Sequence, residues 1–176
     1  KTKNQMNLKR TNVPVIINQK KFVDYRGYFQ EIYLEKKFKL KIKFTAAAYS
    51  KKNVIRGLHF QSKNKQSKFI YVSSGKILDV VINLKKNSKN FGKIYKFILN
   101  KGDILFIPEF YAHGYECLSK ECIVIYHLEK YRDPKSEISI KWNDIDLKIN
   151  WGVKKPIVSK KDKFALSFRD FKQKIK

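Results

Sequence analysis

The sequence contains three histidines, His59, His113 and His127, and two of them lie in segments whose spacing could do chemistry. The first is Arg56-Gly57-Leu58-His59-Phe60-Gln61, expected between two strands. An arginine three residues ahead of a histidine offers a guanidinium for phosphate beside an imidazole that moves protons near neutral pH. A surface arginine and a structural histidine would read the same way. The second runs from Gly102 through Pro108 to His113 and Gly114. Gly102 permits a hairpin conformation, a strand runs to Pro108, and His113 opens the next strand facing a barrel interior. Here the plain alternative is a satisfied core histidine.

Three further segments carry polar or aromatic groups with two readings each. Asp24-Tyr25-Arg26-Gly27-Tyr28-Phe29-Gln30-Glu31 reads as a turn with a strand. Tyr126 lies on an apolar strand, where a buried phenol with a bonded hydroxyl is the ordinary role. Ile157-Val-Ser-Lys-Lys-Asp162 reads as a turn and a helix N-cap.

Short strands broken by turns must position these groups. Phe69–Val72, Lys76–Leu84, Ile94–Leu99, Asp103–Ile107 and Cys122–Leu128 are rich in β-branched and aromatic residues. They recur every ~8–12 residues, which predicts an all-β sandwich or barrel. Helix is expected in a short piece near 32–37 and in a C-terminal one from about Asp162 to Lys174.

The chain has 176 residues with 43% hydrophobic and 14% aromatic side chains, too apolar for a disordered basic tail despite a formal net charge of +25. Its length fits one domain covering 1–176. Of the 40 basic residues only five are arginine (Arg10, Arg26, Arg56, Arg132 and Arg169), and the lysines are spread along the chain. Base reading and bidentate phosphate contacts favour arginine, so a solvated lysine surface is expected and nucleic acid is not an expected partner. No apolar run approaches the ~20 residues that cross a bilayer, and the start lacks an apolar leader. Two cysteines, Cys117 and Cys122, exclude a disulfide scaffold and a four-Cys zinc site. The expected home is a reducing cytoplasm, with no membrane partner.

The Gly102–His113 stretch resembles the second conserved segment of cupins, which are double-stranded β-helix jelly rolls. Phe110 stands where a glycine is usual. Many cupins hold a metal through an H-x-H pair, but this chain reads His59-Phe60-Gln61 there. No metal is therefore expected; a site would need further carboxylate ligands.

Taken in order, DYRGYFQE, VIRGLHFQ, QSKFIYVSSGKILDVVINL, IPEFYAHGY, IVIYHLEKYRDP, IKWNDIDLKINW and IVSKKD resemble the dTDP-4-dehydrorhamnose 3,5-epimerase family. The resemblance spans about Phe22 to Asp162. It implies a cofactor-independent cupin homodimer, in which the segment around Arg26, Phe29 and Glu31 reaches the neighbouring subunit and residues of about 1–35 pack on it. It implies a nucleotide-linked 4-keto-6-deoxyhexose as substrate, inverted at C3 and C5 or at C3 alone. The ketone acidifies both carbons, so inversion needs a base, an acid opposite and an oxyanion partner. By resemblance His59 is the base, Asp162 orients its ring, Tyr126 is the acid and Lys68 meets the enolate oxygen. Arg26, Arg56, Gln61, His113, Glu137 and Lys161 match substrate contacts, and Tyr131 lies where an aromatic stacks on the base.

One departure concerns substrate identity. Where the family usually shows Gln-Asp-Asn before R-G-L-H, this chain reads Ala46-Ala47-Ala48. Each lost amide contact is worth ~0.5–1.5 kcal/mol. The other readings are a related cupin isomerase, a metal-dependent cupin enzyme, or a binding module that has kept the fold without turnover.

Overall fold

The computed structural model describes residues 6–174. In chain order the elements are a 3-10 turn at Leu8–Arg10, β1 (Val15–Ile16), β2 (Lys21–Asp24), β3 (Gly27–Gln30), α1 (Glu35–Phe38), β4 (Phe44–Lys51) and β5 (Ile55–Gln61). Then come β6 (Lys68–Ser74), β7 (Lys76–Asn83), β8 (Ile94–Asn100), β9 (Ile104–Ile107), β10 (Tyr111–Cys117), β11 (Glu121–Leu128), β12 (Glu137–Ser139), α2 (Lys160–Lys163) and α3 (Phe168–Lys174). The strands form two antiparallel five-stranded sheets, ordered β1-β9-β6-β11-β4 and β12-β5-β10-β7-β8, and β2-β3 is a separate hairpin. This is the expected cupin-type jelly roll.

Period-two alternation decides which side chains face the space between the sheets. On β7, Ile77 and Val81 point inward, and Leu78, Val80 and Ile82 point outward into a second cluster with Trp151, Phe168 and Phe171. On β6, Ile70 and Val72 join the inner cluster, while Phe69 and Tyr71 pack outside against Leu8, Ile17 and Phe38. Both sheets are thus covered on their outer faces, one by the N-terminal segment and one by the C-terminal segment. That is why the middle strands read as almost continuous apolar runs.

Two expectations need correction. The Arg56–Gln61 segment is itself strand, forming most of β5 instead of joining two strands. The C-terminal helix is two short ones, α2 and α3, because Leu166 leaves the helical path to bridge Ile140 in parallel and seat the chain on the second sheet. The helix expected near 32–37 is present as α1. Among the described residues no helix is long and apolar enough to cross a membrane.

Candidate active site

In a regular strand, residues three apart face opposite sides, so Arg56 and His59 would point away from each other. The pairing of β5 with β10 removes that conflict. His113 opposes His59 and Tyr115 opposes Arg56, so two steps on β10 answer three on β5. The extra residue is a β-bulge at Gly57, whose φ of +112° suits glycine. A Cβ there would lie 2.7 Å from the Gly114 Cα, so the strands also approach too closely for a side chain. The bulge turns both Arg56 and His59 toward the inter-sheet space.

A bulge leaves one strand N–H out of the ladder. That of Gly57 is taken by Asp162 Oδ2 at 3.2 Å. The other oxygen of Asp162 meets His59 Nε2 at 2.6 Å. Asp162 is delivered by a parallel bridge between Val54 and Ile157 and by the turn into α2, where Ser159 Oγ accepts from the Asp162 N–H at 3.1 Å. The expected turn and N-cap are therefore present, and the carboxylate serves both strand and imidazole. Burial would raise the Asp162 pKa, but the His59 hydrogen bond and charge, with the Gly57 and Ser159 contacts, carry it below the ordinary value. An ionised Asp162 accepts from Nε2–H, so Nδ1 holds the free lone pair. Nδ1 has no hydrogen-bond partner among the described residues.

Tyr126 comes from the opposite sheet. A cavity of about 210 Å³ opens at the seam where β4 and β11 face β5 and β12, and its lining includes His59, Lys68, Tyr126, Gln61 and Glu137. The Tyr126 hydroxyl bonds no described residue, unlike the ordinary buried tyrosine. Burial, then the charges of Tyr115 and Asp79, push its pKa well above the usual value, so the phenol keeps its proton. Burial draws Lys68 down to about 8, against the opposing pull of Asp79 and Glu137. Phe44, Ala46 and Leu128 form a side of this cavity without polar side-chain atoms.

A second cavity, about 360 Å³, shares His59, Arg132 and Glu137 with the first and adds Arg56, Lys161 and Asp162. Arg56 is anchored through Nε to Ser50 Oγ at 2.9 Å and through Nη2 to the Tyr49 carbonyl at 2.8 Å. Glu137 receives Arg132 at 2.8 Å on Oε2 and Lys161 on Oε1. Burial alone would raise the Glu137 pKa; Lys161 and Arg132 bring it below the ordinary carboxylate value.

Of the thirteen residues singled out in the sequence, eight gather at these two cavities: His59, Tyr126, Asp162, Lys68, Arg56, Gln61, Glu137 and Lys161. The polar atoms of Gln61 are committed to backbone, with Nε2 donating to the Asn64 carbonyl at 2.7 Å and Oε1 accepting from the Asp133 N–H at 2.9 Å. His113 is buried behind Tyr126, ring to ring at 6.0 Å, with Nε2 on Asp79 Oδ2 at 2.7 Å. Tyr131 is exposed and stacks on Phe44. Arg26, Phe29 and Glu31 line neither cavity; Arg26 pairs with Asp24 on the β2-β3 hairpin.

Three residues escaped sequence reasoning. Asp79 was legible as a lone acid between inward-facing Ile77 and Val81. Its Oδ1 is buried without a hydrogen bond. Arg132 was one of five arginines against 35 lysines. Phe44 carried no signal, because the strand it opens was not expected. Among the described residues no three His, Cys, Asp or Glu side chains are grouped to hold a metal.

The family model described as dTDP-4-dehydrorhamnose 3,5-epimerase matches residues 10–170. A dTDP-4-dehydrorhamnose 3,5-epimerase of Methanothermobacter thermautotrophicus is 36% identical over 159 residues, covering 85% of this chain and 86% of that protein. The crystal structure of the enzyme so named from Elizabethkingia anophelis superposes with a TM-score of 0.84 at 34% identity, covering 94% of this chain and 98% of that one. A dTDP-6-deoxy-D-glucose-3,5-epimerase from Legionella pneumophila, solved with dTDP-4-keto-L-rhamnose, gives 0.86 at 30% identity over 93% of this chain and 92% of that one.

Proposed function

The chain belongs to the dTDP-4-dehydrorhamnose 3,5-epimerase family, and from that membership we propose that it inverts carbons beside the ketone of a nucleotide-diphosphate-linked 4-keto-6-deoxyhexose. The observation that carries this reading is the His59–Asp162 pair at 2.6 Å on the wall of a cavity that Tyr126 and Lys68 also line.

His59 Nδ1 takes the proton from the carbon next to the ketone, and Asp162 steadies the imidazolium that forms. The electron pair moves onto the carbonyl oxygen, where the Lys68 ammonium meets the enolate charge. Tyr126, kept neutral by burial, returns a proton from the other face. The scheme moves protons only and needs no metal or redox cofactor.

The chain acts as one cupin domain in a homodimer. The hairpin supports this. It exposes Phe22, Val23, Tyr25 and Phe29, and it carries Arg26 away from the cavities of its own chain. The free cysteines Cys117 and Cys122 fit a reducing cytoplasm.

The test is incubation with dTDP-4-keto-6-deoxyglucose in heavy water, following the H3 and H5 NMR signals. Loss of one or both with inversion is the expected result. Persistence of both, across several nucleotide forms of the sugar, would overturn the reading. Sedimentation velocity should give twice the chain mass.

A further inference from the structure

We propose that Arg132 is a diphosphate-binding residue of this site, aimed by Glu137; this rests on the function proposed above. The two cavities have three lining residues in common: His59, Arg132 and Glu137. The smaller one, with base, acid and enolate partner, takes the hexose. On this proposal the nucleoside end lies at the larger one, which adds Arg56 and Lys161 to the shared residues. The group joining them must cross the shared boundary, and in this substrate class that group is a diphosphate.

The boundary is built for such an anion. Glu137 is the buried partner, its side chain 11% exposed, while those of Arg132 and Lys161 are 63% and 48% exposed. One carboxylate thus holds two cations side by side at the cavity edge, one on each oxygen. Nε and Nη2 of Arg132 are both spent on Glu137 Oε2. Its Nη1 has no hydrogen-bond partner among the described residues and is left for a phosphate oxygen. The Glu137 charge is already matched by the two cations, so it repels the incoming anion little.

The experiment is calorimetric titration of wild type, R132Q and R132K with dTDP and with dTMP, beside the heavy-water exchange assay. R132Q should bind dTDP about tenfold more weakly and dTMP with a smaller loss, while KM rises and kcat stays within about twofold. R132K should fall between, because it keeps the charge and loses the fork. Unchanged dTDP affinity in R132Q overturns the assignment, and wild-type exchange then leaves the epimerase reading standing. Should R132Q not fold, R132K binding dTDP as wild type does overturns it equally. A wild type that neither binds dTDP nor exchanges protons defeats both.

Discussion

His59 on β5 and Tyr126 on β11 belong to different sheets, yet both line one cavity of about 210 Å³. The base and acid proposed above, standing on facing layers, can address opposite sides of a flat ring. The seam between the sheets sets their separation, and two rigid ladders hold it.

Replacing Asp162 with Asn keeps the shape but turns one of its two acceptor oxygens into an NH2 donor. It then cannot accept from both the Gly57 N–H and His59 Nε2–H, and the charge behind the imidazole is lost. Turnover should fall roughly 10²–10⁴-fold with KM little changed. Steady-state kinetics check this; retained turnover would remove Asp162 from the mechanism. The substitution also acts on stability. A carboxyl with a depressed folded pKa stabilises above its unfolded value and loses that contribution as pH falls through the folded one. The Asp162→Asn protein should therefore show a weaker loss of stability below pH 3.8, measured by denaturant unfolding.

Tyr126→Phe separates the two halves of the reaction. The base is untouched, so deuterium should still enter from heavy water, while inverted product should form at least roughly tenfold more slowly. Equal losses in exchange and inversion would mean that Tyr126 does more than return a proton.

The Lys68 amine, drawn down to about 8 by burial, predicts the alkaline limb of the pH profile. Below that value the ammonium is present for the enolate; as pH rises through it, kcat/KM should decline with loss of one proton. Lys68→Arg should move the decline to higher pH, and Lys68→Met should lower kcat/KM roughly 10²-fold across the range. A wild-type profile flat to pH 10 would show that the charge is not used.

Gly57→Ala tests the bulge. The added carbon meets backbone at 2.7 Å at a φ of +112°, so stability should fall by about 1–3 kcal/mol. Displacement of the bulged N–H should also slow turnover through the His59–Asp162 pair. Unfolding curves and kinetics on the same preparation read both.

Much of this was open to inspection in the sequence. Recurring β-branched and aromatic strands announced a sandwich or barrel, the cupin resemblance narrowed it to a jelly roll, and β7 and β11 fell where their residues said they would. The gathering of His59, Tyr126, Lys68 and Asp162 at adjoining cavities was legible through a family resemblance. Other parts were hidden for physical reasons. β4 carries Ala46-Ala47-Ala48, whose small side chains show no period-two contrast, so its strand was invisible and Phe44 with it. The bulge at Gly57 breaks the very periodicity used to assign faces; R-x-x-H spacing alone would have sent Arg56 and His59 apart. Glu137 and Arg132 are linked through a loop geometry that residue types do not encode.

The methyl wall of β4 has a consequence for how this catalyst could diverge. Ala46 sits in register beside Tyr126 yet contributes only one carbon to the cavity. Larger or polar residues introduced there would reshape the accepted sugar while the proton-handling groups on neighbouring strands stayed where they are. On the roles proposed above, the groups that would shape the sugar and those that would move protons stand on separate strands, so drift in one lineage could retune the first without forfeiting the second.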